Sequence, residues 1–293
     1  MKVTPLPDVR PSPPGSRRVA IGTFDGVHLG HREVIRDADT VLTFDPHPLA
    51  VIRPEALPKL LTPPSVKYDI VAGLGVDEVV VIPFDRDFMS KTAEEFVEEV
   101  LVRKLQAQLV SVGENFRFGK GARGDHEFLA SRNEFDTRVV PLVEVEGETV
   151  SSSHIRGLIA AGEVAKAARF LGGPFLFQGE VVHGDRRGGP ELGMPTANIV
   201  PDDRYVAPGH GVYAARAEAA CAAVSVGVRP TFGTGRGVLI EAYLIDREVD
   251  LYGHTLRIDF LRRLRGERWF GTVDALVEQM HTDVAQVREI CGC

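Results

Sequence analysis

The chain has 293 residues, of which 44% are hydrophobic and 26% charged, ordinary proportions for a globular protein with room for two domains. Its 34 Lys and Arg against 41 Asp and Glu give a net charge of −7, which argues against nucleic-acid or membrane-surface binding driven by net charge. No apolar run approaches the roughly 18 residues of a membrane helix, and the N-terminus does not resemble a secretory signal. Three cysteines, Cys221, Cys291 and Cys293, form no framework and predict free thiols in a reducing cytoplasm.

The first half of the chain alternates strand-like and helix-like patterns. Residues 1–16 are rich in proline and predict an extended lead-in. Five apolar runs rich in β-branched residues follow, which is typical of strands buried on both faces; they are residues 19–21, 40–44, 79–82, 109–112 and 139–143. Helical patterns lie between them, and Thr92–Glu95 is a capping box. This order predicts a parallel α/β sheet, whose ligands bind beyond the carboxyl ends of the strands.

The second half is predicted to be mainly β structure. A helical stretch stops at residues 172–174, Gly-Gly-Pro, which predict a linker. Five short runs without intervening helices then predict an antiparallel β-barrel; they are residues 175–182, 211–216, 223–228, 238–245 and 256–260. Residues 272–280 predict a closing helix. The expected domains are therefore 17–172, α/β, and 173–293, a β-barrel with a closing helix.

The first candidate site follows the first buried run, where residues 21–31 read Ile-Gly-Thr-Phe-Asp-Gly-Val-His-Leu-Gly-His. We expect this segment to enter a helix, whose free amides and positive dipole end favour phosphate. Its glycines let a phosphate approach the backbone. His28 and His31, three residues apart, project to one side and would stabilise charge in a phosphoryl-type transfer. A metal site is the alternative for two histidines, but no third ligand is apparent in the sequence.

This segment resembles the adenylyltransferase half of the bacterial bifunctional riboflavin kinase/FAD synthetase family. Residues 43–48, 113–119 and 150–156 resemble three further motifs of that family, in the same order. The resemblance implies that ATP and FMN meet here, that the FMN phosphate attacks the α-phosphorus of ATP, and that His28 and His31 stabilise the developing charge. It assigns the flavin nucleotide to Asn115, the leaving phosphates to Arg156, and further ATP contacts to Gly22, Phe24, Gly26, Gly30, Ser152 and Ser153. The role of His47 stays open.

The segment between His31 and Thr43 is shorter than the family usually has. Either residues are absent from the sequence, or this half is truncated and lacks a crossover helix. A true truncation would damage the sheet and leave the adenylyltransferase half inactive.

The second candidate site begins at residues 184–198, which are rich in glycine and end in Met-Pro-Thr-Ala-Asn. Such an arch suits phosphates, with backbone amides and either Arg186 or Arg187 as partners. Thr196 and Asn198, two apart on extended chain, point to one face and offer the hard oxygen ligands that Mg²⁺ prefers. Glu241 is a carboxylate among aliphatic residues on a predicted strand. If it faces a pocket, desolvation raises its pKa and makes it a better general base.

These segments resemble the kinase half of the same family. Residues 193–198, 225–233 and 241–253 resemble its signatures, and Arg268-Trp269-Phe270 continues the fit. The resemblance implies transfer of the ATP γ-phosphoryl group to the 5′-hydroxyl of riboflavin, with Glu241 accepting the hydroxyl proton. It assigns Mg²⁺ and phosphates to Thr196 and Asn198, and phosphates to Gly184 and Gly193. Apolar flavin pockets leave little trace in a sequence, and Arg229, Phe232 and Tyr243 are our candidates for the flavin contacts.

The sequence therefore predicts a cytoplasmic enzyme that makes FMN and then FAD, using Mg²⁺ and ATP. Flavins would be its substrates and products, so no tightly held redox cofactor is expected. The alternatives are a riboflavin kinase with an inactive N-terminal half, a non-catalytic flavin- or nucleotide-binding regulator, and an adenylyltransferase for another phosphate ester. Oligomeric state is left open.

Overall fold

The computed structural model describes residues 1–10, 13, 15–182, 194–229, 237–247 and 249–293, with the backbone alone at residues 228 and 229. The chain divides into two compact units. The first comprises Met1–Pro58 and Pro64–Ser151, and the second comprises Lys59–Pro63 and Ser152–Cys293. The short segment 59–63 belongs to the second unit because Leu60 forms a parallel bridge with Tyr205, with its N–H donating to the carbonyl of Arg204 at 2.8 Å.

The first unit is built on six parallel strands. They are β1 (Lys2–Pro5), β2 (Arg17–Ile21), β3 (Thr40–Asp45), β4 (Glu78–Pro83), β5 (Ala107–Gly113) and β8 (Asp136–Val140); the short pairs β6 (Arg117–Phe118) with β7 (Gly124–Asp125), and β9 (Glu144–Val145) with β10 (Glu148–Thr149), lie outside this sheet. The strand order is β1-β4-β3-β2-β5-β8. The chain therefore continues on one side of β2 through β3 and β4, and then returns to its other side with β5. Such a reversal of strand order is where α/β sheets bind ligands.

Continuous apolar runs form these strands because the sheet is covered on both faces. Val19 and Ile21 belong to one core cluster, whereas Ala20 between them belongs to the other. Leu42 and Val41 are divided in the same way between the two clusters. The predicted parallel sheet is confirmed, and its buried centre fixes the position of the loops at the strand ends.

The two edges of the sheet differ from the sequence predictions. Residues Lys2–Pro5 form an edge strand that pairs with Glu78–Val81, so the N-terminal segment is more than an extended lead-in. The last strand covers Asp136–Val140 and not residues 139–143. It ends before Pro141, which has no N–H to donate to a ladder.

Short helices connect the strands. They are α1 (Leu29–Ile35), α2 (Pro48–Ile52), α3 (Pro64–Ala72), α4 (Arg86–Met89), α5 (Ala93–Phe96), which continues as a π-helix over Val97–Lys104, and α6 (His126–Ala130). Thr92 and Glu95 form the predicted capping box at the start of α5. The short segment after His31 still supplies a crossover: α1 has seven residues, and β2 and β3 pair in parallel from Val19↔Thr40 to Ile21↔Leu42. The damage that a truncation would cause to the sheet is therefore absent.

The second unit is a closed antiparallel barrel, and its described residues also form three helices. Its strands are β11 (Phe175–Val182), β12 (Ala197–Val200), β13 (Gly211–Ala217), β14 (Ala220–Arg229), β15 (Gly237–Leu244) and β16 (Thr255–Arg265), and its helices are α7 (Ser152–Ala160), α8 (Val164–Leu171) and α9 (Val273–Cys291). The strands close in the order β11-β12-β15-β14-β13-β16, which confirms the predicted barrel. Helix α8 ends at Gly172 with φ 75°, as the predicted stop signal requires.

Helix α9 is held against the barrel by a buried ion pair. Arg265 on β16 donates to both carboxylate oxygens of Asp283, at 2.8 Å from Nη2 and 3.1 Å from Nε, and Asp283 is only 3% exposed. Gln279 also donates to this carboxylate at 2.9 Å. The helix runs to Cys291, eleven residues beyond the predicted end at Met280, because its second half packs on the barrel around Val287.

The cysteines do not all remain thiols, so that prediction is wrong. Cys221 on β14 forms a disulfide with Cys293, directly beyond α9. Cys291 stays a thiol and donates to the carbonyl of Ala215 at 3.4 Å. Burial raises the pKa of the Cys291 thiol.

Candidate active sites

The loop after β2 has a strained backbone that the core holds in place. Phe24 and Val27 have φ of 50° and 41°, in the left-handed region that non-glycine residues rarely adopt. Their side chains are 1% and 0% exposed, so packing stabilises these conformations. A Cβ at Gly22 would lie 3.0 Å from the Phe24 ring, which explains the glycine there. The loop therefore has one well-defined shape where β2 ends.

His28 and His31 form a stacked pair at the end of this loop. Their ring centroids are 3.6 Å apart with an interplanar angle of 14°. His28 is the N-cap of α1, and its Nδ1 accepts a hydrogen bond from the backbone N–H of His31 at 3.2 Å. A neutral imidazole that accepts through Nδ1 carries its proton on Nε2. His28 can therefore offer an N–H donor from its Nε2 atom.

The environment of His31 favours its neutral form. Burial lowers its pKa well below 6.5, and the neighbouring His28 and Lys67 lower it further. Phe24 lies edge-on to its ring at 5.3 Å between centroids, and its Nδ1 is buried with no hydrogen-bond partner in the described part of the chain. His31 is thus held in its neutral form at the loop.

A lysine outside the predicted motifs also belongs to this site. Lys67 on α3 donates from Nζ to the carbonyl of Thr23 at 2.9 Å, and the buried Thr43 hydroxyl donates to the same oxygen at 3.3 Å. Burial lowers the pKa of Lys67, while Asp25 and Asp45 act in the opposite direction. Nothing in the spacing of α3 distinguished this lysine from an ordinary helix residue.

Residues of two neighbouring motifs lie at the same edge of the sheet, because parallel strands end together. His47 follows β3 and caps α2, where its Nδ1 accepts from the N–H of Leu49 at 3.2 Å. This gives His47 a structural role that the sequence left open. Asn115 follows β5 and is exposed. The structure therefore brings Gly22, Phe24, Gly26, His28, Gly30, His31 and Asn115 to the carboxyl edge of the sheet around β2.

A chain of phenylalanines lies along this edge and was not predicted. Phe44, Phe84, Phe88, Phe96 and Phe118 follow one another with ring centroids 5.2–6.2 Å apart. Phe116 stacks on Phe118 at 5.5 Å with an interplanar angle of 17°. Phe116 and Phe118 share one segment, and the other four rings come from β3, the residue after β4, α4 and α5, so no local sequence pattern could reveal the set. Phe84, Phe96 and Phe118 are buried, whereas Phe44, Phe88 and Phe116 are partly exposed.

Ser152, Ser153 and Arg156 lie at the start of α7, which clusters with the second unit. Arg156 donates from Nη2 to the Ser153 hydroxyl at 3.0 Å. The serines open the helix, as the sequence predicted. The grouping of these three residues with His28 and His31 remains a prediction.

In the barrel, Asn198 and Glu241 are direct cross-strand partners on β12 and β15, and Ser225 on β14 pairs with Glu241 from the other side. All three side chains are half-buried, whereas the alternating Ile240 and Ala242 are fully buried. Tyr243, on the same face as Glu241, packs in a cluster that includes residues of α9. Asn198 and Glu241 thus project from the outer face of the barrel.

A cavity of about 500 Å³ lies beside these residues, which is within the range of small-molecule sites. Thr196 lines it together with barrel residues and the segment after β15; the other described lining residues are Val181, Pro195, Ala197, Ala242, Leu244, Arg247, Val249, Asp250, Leu251 and Tyr252. Gly184, Gly193, Arg186, Arg187 and Phe232 lie outside the described residues, as does the side chain of Arg229.

The segment between β16 and α9 lies beside the same barrel face. A Cβ at Gly227 would lie 2.7 Å from Oε1 of Glu267, so this segment passes over β14 two residues from Ser225. Trp269, the single tryptophan of the chain, is 90% exposed. Of the predicted kinase residues, the structure brings together Asn198 on β12, Glu241 and Tyr243 on β15, and Thr196, which directly precedes β12.

The structure has two parts, a sheet with a histidine loop and a barrel that carries a glutamate on a strand. Comparison with known proteins finds a separate family match for each part. The family model for FAD synthetase matches residues 11–154, and that for riboflavin kinase matches residues 171–291. The chain belongs to the family of bifunctional riboflavin kinases/FMN adenylyltransferases, as the sequence resemblance implied.

Curated relatives with that name match over nearly their whole length. The Escherichia coli K12 protein is 35% identical over 94% of this chain and 92% of its own, and the Bacillus subtilis protein is 34% identical over 90% and 89%. A crystal structure titled macrolide-efflux protein, from Streptococcus pneumoniae, has a TM-score of 0.87 and 31% identity, covering 98% of this chain and 99% of its own. Within the described residues, no helix is long and apolar enough to cross a membrane.

Proposed function

We propose that this chain phosphorylates riboflavin with ATP to give FMN, and then adenylylates FMN with a second ATP to give FAD and pyrophosphate. The observation that carries this proposal is the presence of both family domains in one chain whose two folds are intact. The complete six-stranded sheet supports the two-step function over riboflavin kinase alone. We assign adenylyl transfer to residues 17–172 and riboflavin phosphorylation to residues 173–293.

In the kinase reaction, Glu241 would act as the general base. It accepts the proton of the riboflavin 5′-hydroxyl while that oxygen bonds to the γ-phosphorus of ATP and the bond to the bridging oxygen of ADP breaks. The half-buried position of Glu241 beside Asn198 supports this role. The family resemblance supports a role for Gly184 and Gly193 in binding the ATP phosphates.

The donor atoms around Glu241 fit a magnesium ion. The amide oxygen of Asn198, the hydroxyl of Thr196 and the Glu241 carboxylate are hard oxygen ligands, and the amide N–H of Asn198 lies 3.5 Å from the Thr196 carbonyl. Thr196 and Asn198 would hold Mg²⁺, which supplies charge neutralisation for the ATP phosphates. Of these three residues, Thr196 lines the cavity, which supports a metal site next to a space of substrate size.

In the adenylyl transfer, a phosphate oxygen of FMN would bond to the α-phosphorus of ATP as the bond to pyrophosphate breaks. His28 and His31 would donate hydrogen bonds to the oxygens that gain charge. The neutral state of His31 and the Nε2 proton of His28 support this role. Gly22, Phe24, Gly26 and Gly30 would shape the loop around ATP, and Ser152, Ser153 and Arg156 would contact its leaving phosphates.

The flavin needs flat apolar surfaces in both halves. The partly exposed rings of the phenylalanine chain, such as Phe116 next to Asn115, would supply one for the isoalloxazine of FMN, because aromatic rings stack on such systems. In the barrel, Tyr243 and Arg229 are the proposed flavin contacts. We also propose a cytoplasmic location, since both reactions consume ATP.

Two sets of variants separate the two reactions. Glu241→Gln is expected to lower the riboflavin kinase rate by about 10²–10⁴-fold and to leave the conversion of supplied FMN to FAD unchanged. His28→Ala with His31→Ala is expected to give the opposite pattern. A loss of both activities in either set, with an unchanged thermal midpoint, would contradict the assignment of separate sites.

A further inference from the structure

Lys67 occupies an unusual position for a lysine. It is half-buried on α3, yet its Nζ reaches the Thr23 carbonyl at the start of the histidine loop. That hydrogen bond is the one contact of its three N–H donors in the described part of the chain, and no carboxylate there lies within 4.0 Å of its ammonium group. Two donors of a partly desolvated cation therefore remain for another partner.

Two nearby carboxylates favour the protonated form of Lys67. Asp25 and Asp45 act on it from beyond ion-pair distance and favour its protonated form. They do not supply a direct hydrogen-bonded partner. A partly buried cation without a paired anion is costly, and its cost is offset where an anionic ligand binds. The charge of Lys67 also lowers the pKa of His31.

We propose that Lys67 binds a phosphate oxygen of a nucleotide substrate during adenylyl transfer, while it holds the Thr23 carbonyl in place. This inference rests on the proposed adenylyltransferase function. The ammonium group donates hydrogen bonds and gives up no proton. The FMN oxygen forms the new bond to the α-phosphorus, and the electron pair of the broken P–O bond leaves with pyrophosphate.

The chain offers a matched set of variants for this proposal. Lys67→Met removes the charge and the hydrogen bond to Thr23. Lys67→Gln removes the charge but keeps an N–H donor for that carbonyl. Thr43→Val removes the second donor to the same carbonyl and leaves every charge in place, because Thr43 donates to it at 3.3 Å. The riboflavin kinase rate of each preparation reports whether the rest of the chain is intact.

The measurement is the rate of FAD formation from FMN and ATP, with each substrate varied separately. A lost charged hydrogen bond of about 1.5–3 kcal/mol predicts a fall in kcat/KM of about 10–100-fold in both Lys67 variants, and less than about threefold in Thr43→Val. A higher KM for ATP assigns the contact to the triphosphate, and a higher KM for FMN assigns it to the flavin phosphate.

Two results would overturn the proposal. One is wild-type kcat/KM in Lys67→Gln, which would show that the hydrogen bond to Thr23 is sufficient. The other is an equal loss in Thr43→Val, which would show that Lys67 acts only by positioning the loop. The absence of FAD formation by the wild-type chain is a different result, because it would reject the adenylyltransferase function itself.

Discussion

Asn198 and Glu241 face each other across β12 and β15, so the proposed magnesium ligand and the proposed general base are adjacent on one barrel face. Ser225 lies on the other side of Glu241, in the same row. This arrangement would place the metal-bound phosphates of ATP beside the group that receives the proton of riboflavin. The register of β12, β15 and β14 therefore determines which residues lie next to the proposed general base.

Asn198→Ala is therefore expected to raise the Mg²⁺ concentration for half-maximal kinase activity by at least about tenfold, because an oxygen ligand is lost. Titration of riboflavin kinase activity with Mg²⁺ checks this. Ser225→Ala is the control, since it changes the other neighbour of Glu241 and should leave the requirement unaltered. An unchanged Mg²⁺ requirement in Asn198→Ala would remove Asn198 from the metal site.

The lowered pKa of His31 predicts a pH-dependent stability. As the pH falls below about 6.5, the unfolded chain takes up a proton on His31 and the folded chain does not, so the stabilising effect of neutral His31 is lost. Between about pH 7.5 and 5.5, His31→Gln should lose less thermal stability than the wild type. His281→Gln is the control variant, because His281 is exposed. An equal change of thermal stability with pH in the wild type and in His31→Gln would contradict the prediction.

The buried Arg265–Asp283 pair is expected to dominate the attachment of α9. Asp283→Asn leaves the guanidinium without its ionic partner in a site where Asp283 is 3% exposed, and should lower the free energy of unfolding by about 3–5 kcal/mol. Asp246→Asn is the matched control, because the Arg288–Asp246 pair is exposed and should contribute less than about 1 kcal/mol. Similar losses on chemical denaturation of the two variants would disagree with this account.

The Cys221–Cys293 disulfide joins positions 72 residues apart, and closing a loop of that size stabilises a fold by up to about 4 kcal/mol. A dithiol reductant should therefore lower the thermal midpoint of the wild type. Cys293→Ser should show the lower midpoint without reductant and respond no further to it. A wild-type midpoint that does not change on complete reduction would show that the cross-link adds nothing to stability.

Much of the fold could be predicted because its causes are local. Runs such as Val79–Ile82 are apolar throughout since both faces of the sheet are covered, and Thr92 and Glu95 carry their capping box in the sequence itself. The strand Lys2–Pro5 could not be predicted in this way. Its segment is short and rich in proline, and it becomes a strand only because Glu78–Val81 offers a parallel edge.

The candidate sites, like the fold, were predictable where their residues lie close together in the sequence. The histidine loop and Glu241 lie in continuous motifs, so their sequences carried the signal. Lys67 and the phenylalanine chain acquire their positions only through folding, since the chain separates Lys67 from Thr23 by 44 residues. The pairing of Cys221 with Cys293 is equally non-local.

The most direct test of the two-step function is a time course with purified chain, riboflavin, ATP and Mg²⁺, with the flavins separated by chromatography. FMN is expected to appear first, and FAD is expected to follow as FMN is consumed. Accumulation of FMN without FAD, including when FMN is supplied alone with ATP, would contradict the adenylyltransferase assignment. Unchanged riboflavin would contradict the role of Glu241 as the general base.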